Sequence, residues 1–79
     1  MSVVVSEARL RNEMIRRGWL AADLARESRL SQATISAALA GRPINPQSLA
    51  LIAKALARAP VIPAIDSLLA PDTPDVSLP

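Results

Sequence analysis

Residues 24–41 read LARESRLSQATISAALAG, and this stretch decides the fold that the sequence predicts. Ser31 is a favourable N-cap and Gly41 a favourable C-cap, so we expect a helix between them. Ile35 and Leu39 lie four residues apart and share one face of that helix, which we expect to be buried. Another side carries short, uncharged residues: Gln32, Ala33, Ser36 and Ala37.

Further short helices are predicted on both sides of this segment. Two precede it, over about 7–17 and 20–28, and two follow it, over about 46–59 and 64–70. Asn45 is a favoured N-cap and the proline after it is favoured at the first helical position. A stripe at i, i+3, i+4 and i+7 then predicts a buried face: Leu49, Ile52, Ala53 and Leu56.

Composition supports an all-α fold of five short helices around one core. The chain has 79 residues, of which 51% are hydrophobic and only 1% aromatic, and alanine and leucine dominate. We expect residues 1–5 to form an extended arm and residues 1–70 to form one domain. Residues 71–79, PDTPDVSLP, contain three prolines and are expected to be an extended or disordered tail.

Missing residue types exclude several classes of function. The absence of His and Cys excludes zinc sites built on those ligands, thiol nucleophiles and His general bases. Two glycines cannot form a glycine-rich phosphate loop. We therefore expect no enzyme activity, metal or cofactor. With no apolar run long enough to span a bilayer and no basic region before the first valines, we expect a cytoplasmic protein with no membrane partner.

The charge is divided unevenly along the chain. Residues 1–59 hold all nine basic residues and four acidic ones, whereas residues 60–79 hold three acidic residues and no basic one. A basic body favours a polyanionic partner such as nucleic acid. The alternative is that arginine serves only as a solubilising charge.

The spacing within residues 24–41 resembles the helix-turn-helix of the Cro and phage-repressor superfamily. The matching positions are Leu24, Ala25, Leu30, Ser31, Ile35, Ser36 and Gly41, and the run from Asn45 to Leu56 continues the pattern. The resemblance covers about residues 7–69 and implies a compact five-helix lambda-repressor-like domain. It also implies a sequence-specific DNA-binding transcriptional regulator of phage or prophage origin, which occupies an operator in double-stranded DNA and needs no small-molecule effector.

The resemblance assigns the DNA contacts to α-helical and loop residues around the same segment. Those expected to meet base edges in the major groove are Gln32, Ala33, Thr34, Ser36 and Ala37. Those expected to meet phosphates are Ser31, Arg42 and Asn45. Glutamine can bond adenine, and an alanine or threonine methyl can touch the thymine methyl. The alternatives are a solvated Gln32, and hydroxyls that bond their own backbone.

Four residues depart from the family pattern. Arg29 stands in the turn where glycine is usual, so either it is held at a positive φ or the turn has another geometry. Leu20 and Ala21 replace the polar pair that usually begins the preceding helix and contacts a phosphate, and Ser28 replaces a core residue.

The end of the domain carries a small apolar cluster: Ile62, Ile65, Leu68 and Leu69. These residues either cap the core or form the contact of a weak homodimer that assembles on DNA. Two rival functions use the same fold. One is an antitoxin or accessory subunit whose residues 60–79 bind a partner protein, and the other is a protein-interaction module that has lost DNA binding.

Overall fold

A computed structural model describes residues 1–69 of the chain, which form five α-helices. They are α1 (Glu7–Arg16), α2 (Ala21–Ser28), α3 (Gln32–Leu39), α4 (Pro46–Arg58) and α5 (Pro63–Leu68). The all-α, five-helix prediction is confirmed. The predicted tail at 71–79 lies outside the described residues. Among the first 69 residues no helix has the length and apolar character needed to cross a bilayer.

Three of the helices begin with a polar side chain that caps the first turn. Ser6 accepts the backbone N–H of Arg9 at 3.4 Å before α1. Ser31 accepts the N–H of Thr34 at 3.2 Å before α3. Asn45 accepts the N–H two residues ahead at 2.7 Å before α4. Each bond satisfies a donor that the helix itself cannot pair, which explains why these helices start where the sequence predicts.

Helices α1, α2, α3 and α4 share one hydrophobic core. Leu24 of α2 and Ile35 of α3 are fully inaccessible to solvent, and Ile52 of α4 is nearly so. Further buried residues surround them: Leu10, Met14, Ala25, Ala38, Leu39 and Ile44. The predicted inward face of α3 is therefore correct, and its burial fixes which side of α3 remains outside.

The predicted buried stripe of α4 is wrong in part. Ile52 is buried and Leu49 and Leu56 are partly buried, but Ala53 is exposed and Ala55 is buried instead. The side of α4 that meets the core is centred on positions 52 and 55, which are three residues apart and adjacent on one face. Ala53 is turned away from that line and lies along an open apolar groove beside α1.

The fifth helix packs on the end of α1. The N–H of Ile62 donates to the carbonyl of Arg16 at 2.9 Å, and Arg16 Nε donates to Asp66 Oδ1 at 2.7 Å. Gly18 has φ of +71°, and a Cβ at this position would lie 3.2 Å from Ile62 Cδ1 and 3.4 Å from Ile65 Cδ1. Both the backbone conformation and the close approach of α5 therefore favour glycine here.

The arm before α1 is extended, as predicted, and it is paired with the loop between α3 and α4. The backbone groups of Val3 and Ile44 exchange two hydrogen bonds of 2.8 Å each in an antiparallel bridge. Ile44 is itself buried. The bridge holds the segment between Gly41 and Asn45 at a defined position next to α3.

Candidate nucleic-acid interface

The turn between α2 and α3 is three residues long and depends on one residue in the left-handed region. Arg29 has φ of 62° and ψ of 29°. This conformation lets the N–H of Leu30 reach the carbonyl of Ala25 at 3.1 Å and close the end of α2. Of the two alternatives that the sequence left open, the structure has the first: Arg29 adopts the geometry usually given to glycine.

Ser28 occupies a core position without an unsatisfied hydroxyl. It is buried, and its Oγ donates to the carbonyl of Leu24 at 2.6 Å. A serine that bonds the preceding turn of its own helix satisfies its donor in an apolar surrounding. This departure from the family pattern therefore leaves the packing of α2 against α3 intact.

The outward side of α3 is small, uncharged and largely open to solvent. Gln32, Ala33 and Ser36 are exposed, whereas Thr34 and Ala37 are half-buried. Together the five residues predicted to read bases form one continuous surface on α3. Three of them, Ala33, Thr34 and Ala37, line a shallow recess of about 270 Å³ between α3 and the start of α4.

The Thr34 hydroxyl has a partner within its own helix. Its Oγ1 lies 3.0 Å from the Oγ of Ser31, which also accepts the Thr34 backbone N–H. Both hydroxyls therefore take part in hydrogen bonds at the start of α3. Each retains further bonding capacity, because a hydroxyl can donate one hydrogen bond and accept two.

The remaining phosphate candidates flank α3 on its C-terminal side. Arg42 is exposed, and its side chain has no hydrogen bond or ion pair within residues 1–69. Asn45 uses Oδ1 to cap α4, so its amide N–H₂ is not consumed by that bond. These two residues therefore place a cation and an amide donor at the edge of the predicted base-reading surface.

Most of the arginines of α1, and Arg17 directly after it, are occupied by contacts within the protein. Glu13 binds Arg17 Nη1 at 2.7 Å and Arg16 Nη1 at 3.2 Å. Chiefly through the Arg17 hydrogen bond, these contacts hold the pKa of the Glu13 carboxyl below its usual value. Arg11 donates to the carbonyl of Leu39 at the end of α3 at 3.1 Å. In the described part of the chain, Arg9 is the arginine of α1 whose side chain has no such partner.

The start of α2 differs from the rest of the candidate interface in being apolar. Leu20 is 74% exposed and Ile15 is 47% exposed, and with Arg11 they border a small recess of about 180 Å³. The Asp23 carboxylate accepts the N–H of Leu20, and this bond, followed by the one from Arg26, lowers the pKa of that carboxyl. A carboxylate at this position repels a DNA phosphate, so it disfavours the phosphate contact that the usual polar pair would make.

Comparison with known proteins agrees with this geometry. A family model described as helix-turn-helix matches residues 10–61, about two thirds of the chain. The matched range includes α2, the turn, α3 and all of α4. Searches of curated proteins and of solved structures gave no match.

Proposed function

Since the chain belongs to the Cro/repressor-type helix-turn-helix family of DNA-binding regulators, we propose that it recognises a specific operator and regulates transcription by occupying it. A phage or prophage setting is part of this proposal. The observation that carries it is the exposed, uncharged side of α3. Gln32 and Ser36 offer hydrogen-bonding groups there, and the alanines between them leave room for close approach.

In this proposal α3 lies in the major groove. The groove is about 12 Å wide and accepts one α-helix. Gln32 would bond an adenine with its amide oxygen as acceptor and its amide N–H₂ as donor. Ser36 would reach a neighbouring base edge, and Ala33 and Ala37 would contact thymine methyls. Thr34 stands at the border of this surface and would exchange its bond to Ser31 for one to DNA.

Phosphate contacts would supply most of the affinity. Arg42 would bind a phosphate by charge, while Ser31 and Asn45 would do so through hydrogen bonds at the starts of α3 and α4. Because Arg42 is the one charged residue among these three, we expect few charged phosphate contacts and a modest dependence of affinity on salt.

We further propose that two copies assemble weakly on the operator through α5. Leu68 is 86% exposed and Ile62 is 41% exposed. Ile65 and Leu69 are half-buried and would form the edge of the contact. A two-fold dimer that places its α3 helices about 34 Å apart would meet successive major grooves on one side of the duplex.

A titration of labelled duplex with the full chain tests DNA binding itself. A random-sequence duplex at low salt should bind, and raising the salt should weaken binding linearly on a logarithmic scale. Selection from a pool of random duplexes should then enrich one short sequence. A folded protein that fails to bind at low salt contradicts the proposal, and binding without enrichment contradicts its claim of sequence specificity.

The exposed leucine at the start of α2 favours a second candidate function, that of a protein-interaction module. Leu20 and Ile15 form an apolar surface next to the position where the family usually contacts a phosphate. Under this function Leu20→Ser would abolish binding of a protein partner, and the chain would bind no duplex at low salt. Under the DNA-binding proposal, Leu20→Ser leaves duplex affinity within about twofold, because no base or phosphate contact involves that side chain.

A further inference from the structure

An arginine-rich cleft of about 460 Å³ lies between the C-terminal end of α2 and the outer side of α4. Its lining residues are Arg26, Glu27, Ser28, Arg29, Leu51 and Arg58. None of the eight residues proposed to contact DNA is among them. The cleft is therefore a surface that the proposed function does not use.

Two of the three arginines in this cleft have no carboxylate partner in the described part of the chain. Arg26 is paired with Asp23 at 2.8 Å and with Glu27 at 3.5 Å. Arg58 donates only to the backbone carbonyl of Glu27, at 3.3 Å. The side chain of Arg29 has no hydrogen bond or ion pair within residues 1–69. The cleft thus presents two guanidinium groups that are not neutralised.

Arg29 brings its charge to the cleft from an unfavourable backbone conformation. A side chain at φ of 62° carries a steric cost that glycine would avoid. The backbone hydrogen bonds that close α2 offset this cost, and the guanidinium itself makes no hydrogen bond or ion pair within residues 1–69. Its charge, together with that of Arg58 in the same cleft, points to an anionic ligand that binds from outside.

The remaining wall of the cleft indicates which kind of anion fits. Leu51 is 41% exposed and offers an apolar surface beside the two arginines. Inorganic phosphate or a nucleic-acid backbone would leave this surface in contact with water. We propose that the cleft binds an acidic peptide segment of a partner protein. Its carboxylates pair with Arg29 and Arg58, and an apolar side chain between them packs on Leu51.

The probe is a capped pentapeptide of glutamate, aspartate, leucine, glutamate and aspartate, titrated into isotope-labelled full chain and followed by NMR. The Leu51 methyl signals and the Nε–H signals of Arg29 and Arg58 should shift together. We expect a dissociation constant of about 10⁻⁴ to 10⁻³ M, because exposed ion pairs are individually weak. Substituting both arginines, Arg29→Gln with Arg58→Gln, should raise that constant about fivefold to thirtyfold.

Matched controls separate this site from a general attraction to positive charge. Arg9→Gln removes another exposed arginine with no partner within residues 1–69 and should leave the affinity unchanged. Leu51→Ala should lower the affinity for the peptide but not the affinity for inorganic phosphate. The thermal unfolding of Arg9→Gln and Arg29→Gln should match that of the parent chain, since both side chains are exposed and have no hydrogen bond within residues 1–69. Arg58→Gln loses the bond to Glu27 and Leu51→Ala loses packing, so circular dichroism should confirm that these variants keep the helical fold.

Four results would overturn the proposal. One is equal binding of the neutral peptide in which glutamine and asparagine replace the acids. Another is an equal loss of affinity in Arg9→Gln. A third is phosphate shifting the Leu51 methyls as strongly as the peptide does. The fourth is a severalfold gain in affinity in Asp72→Asn with Asp75→Asn, which would show that the chain's own residues 70–79 are the occupant.

Discussion

The carboxylate of Asp23 accepts the backbone N–H of Leu20 at 2.7 Å. Leu20 precedes α2 but has no side-chain acceptor, so the third residue of the helix performs half of the work of a capping box. The same carboxylate binds Arg26 at 2.8 Å. The start of α2, and with it the position of the helix against which α3 packs, therefore depends on an acid inside the helix.

Asp23→Ala should lower the midpoint of thermal unfolding, because it leaves the Leu20 N–H without its partner and removes a negative charge from the first turn. The pKa of Asp23 is lowered in the folded chain, so its stabilising effect is present above the pKa of an unfolded Asp, about 3.9. It is lost as the pH falls through the lower folded-state value. Circular dichroism melts should show a lower unfolding midpoint for the variant than for the parent at pH 7, and equal midpoints in strong acid. A difference in midpoint that persists in strong acid contradicts this assignment.

Arg29→Gly should stabilise the chain relative to Arg29→Ala. Both changes remove the guanidinium, but only glycine relieves the steric cost of the left-handed conformation, about 1 kcal/mol. Part of this gain is offset by the greater freedom of glycine in the unfolded chain. Urea unfolding of the two variants at neutral pH measures the difference. Equal stabilities would mean that the turn relaxes to another geometry when the side chain changes.

Gly18→Ala should destabilise the chain more than Gly41→Ala does. Both glycines have φ near +70°, so both substitutions carry a backbone cost of about 1 kcal/mol. An added Cβ at Gly18 meets Ile62 and Ile65, whereas nothing lies within 4 Å of one at Gly41. We expect an extra loss of about 1 kcal/mol at Gly18. Denaturant unfolding gives both values, and equal losses would show that α5 does not press on this turn.

Gln32→Ala should relax the preference at one base pair of the operator and cost about 1–3 kcal/mol in binding the selected sequence. Affinity for random duplex should change little. Gln47→Ala is the matched control, since Gln47 is also exposed but lies on α4. Titrations against single-base variants of the selected operator measure the effect. An unchanged preference at every position would remove Gln32 from the base-reading set.

Arg42→Ala should weaken binding to all sequences alike and reduce the slope of log affinity against log salt by about one unit. Arg9→Ala serves as the comparison, because Arg9 is an exposed arginine on α1, outside the proposed interface. Salt titrations on matched and mismatched duplexes provide the slopes. If Arg42→Ala discriminates between base pairs, Arg42 reads a base rather than a phosphate.

Local signals in the sequence were enough to predict the helices and the direction in which α3 faces. Ser31 and Asn45 cap their helices through bonds to residues two or three positions away, and Ile35 and Leu39 are buried by the helical period alone. The backbone conformation of Arg29 could not be predicted in this way. The steric cost of a left-handed arginine is small compared with the hydrogen bonds that close α2, so either geometry was open until the packing was known.

Other features depend on residues that are distant in the chain. The exposure of Ala53 follows from the angle at which α4 meets the core, which a periodic pattern does not specify. Arg16 binds Asp66 only because α5 packs on α1, and Arg17 binds the end of α4 only because α4 also meets α1. The distribution of charge along the sequence therefore could not show how many arginines are left without a partner. The capping role of Asp23 was missed, although an acid at the third helical position is itself a capping signal.

The backbone bridge between Val3 and Ile44 has a practical consequence for work with this protein. It places Val3 beside Ile44, which directly precedes Asn45 and lies two residues after Arg42. We expect a purification tag joined to the N-terminal end to shift the loop between α3 and α4. A changed DNA affinity in such a fusion would then reflect the tag and not the protein itself.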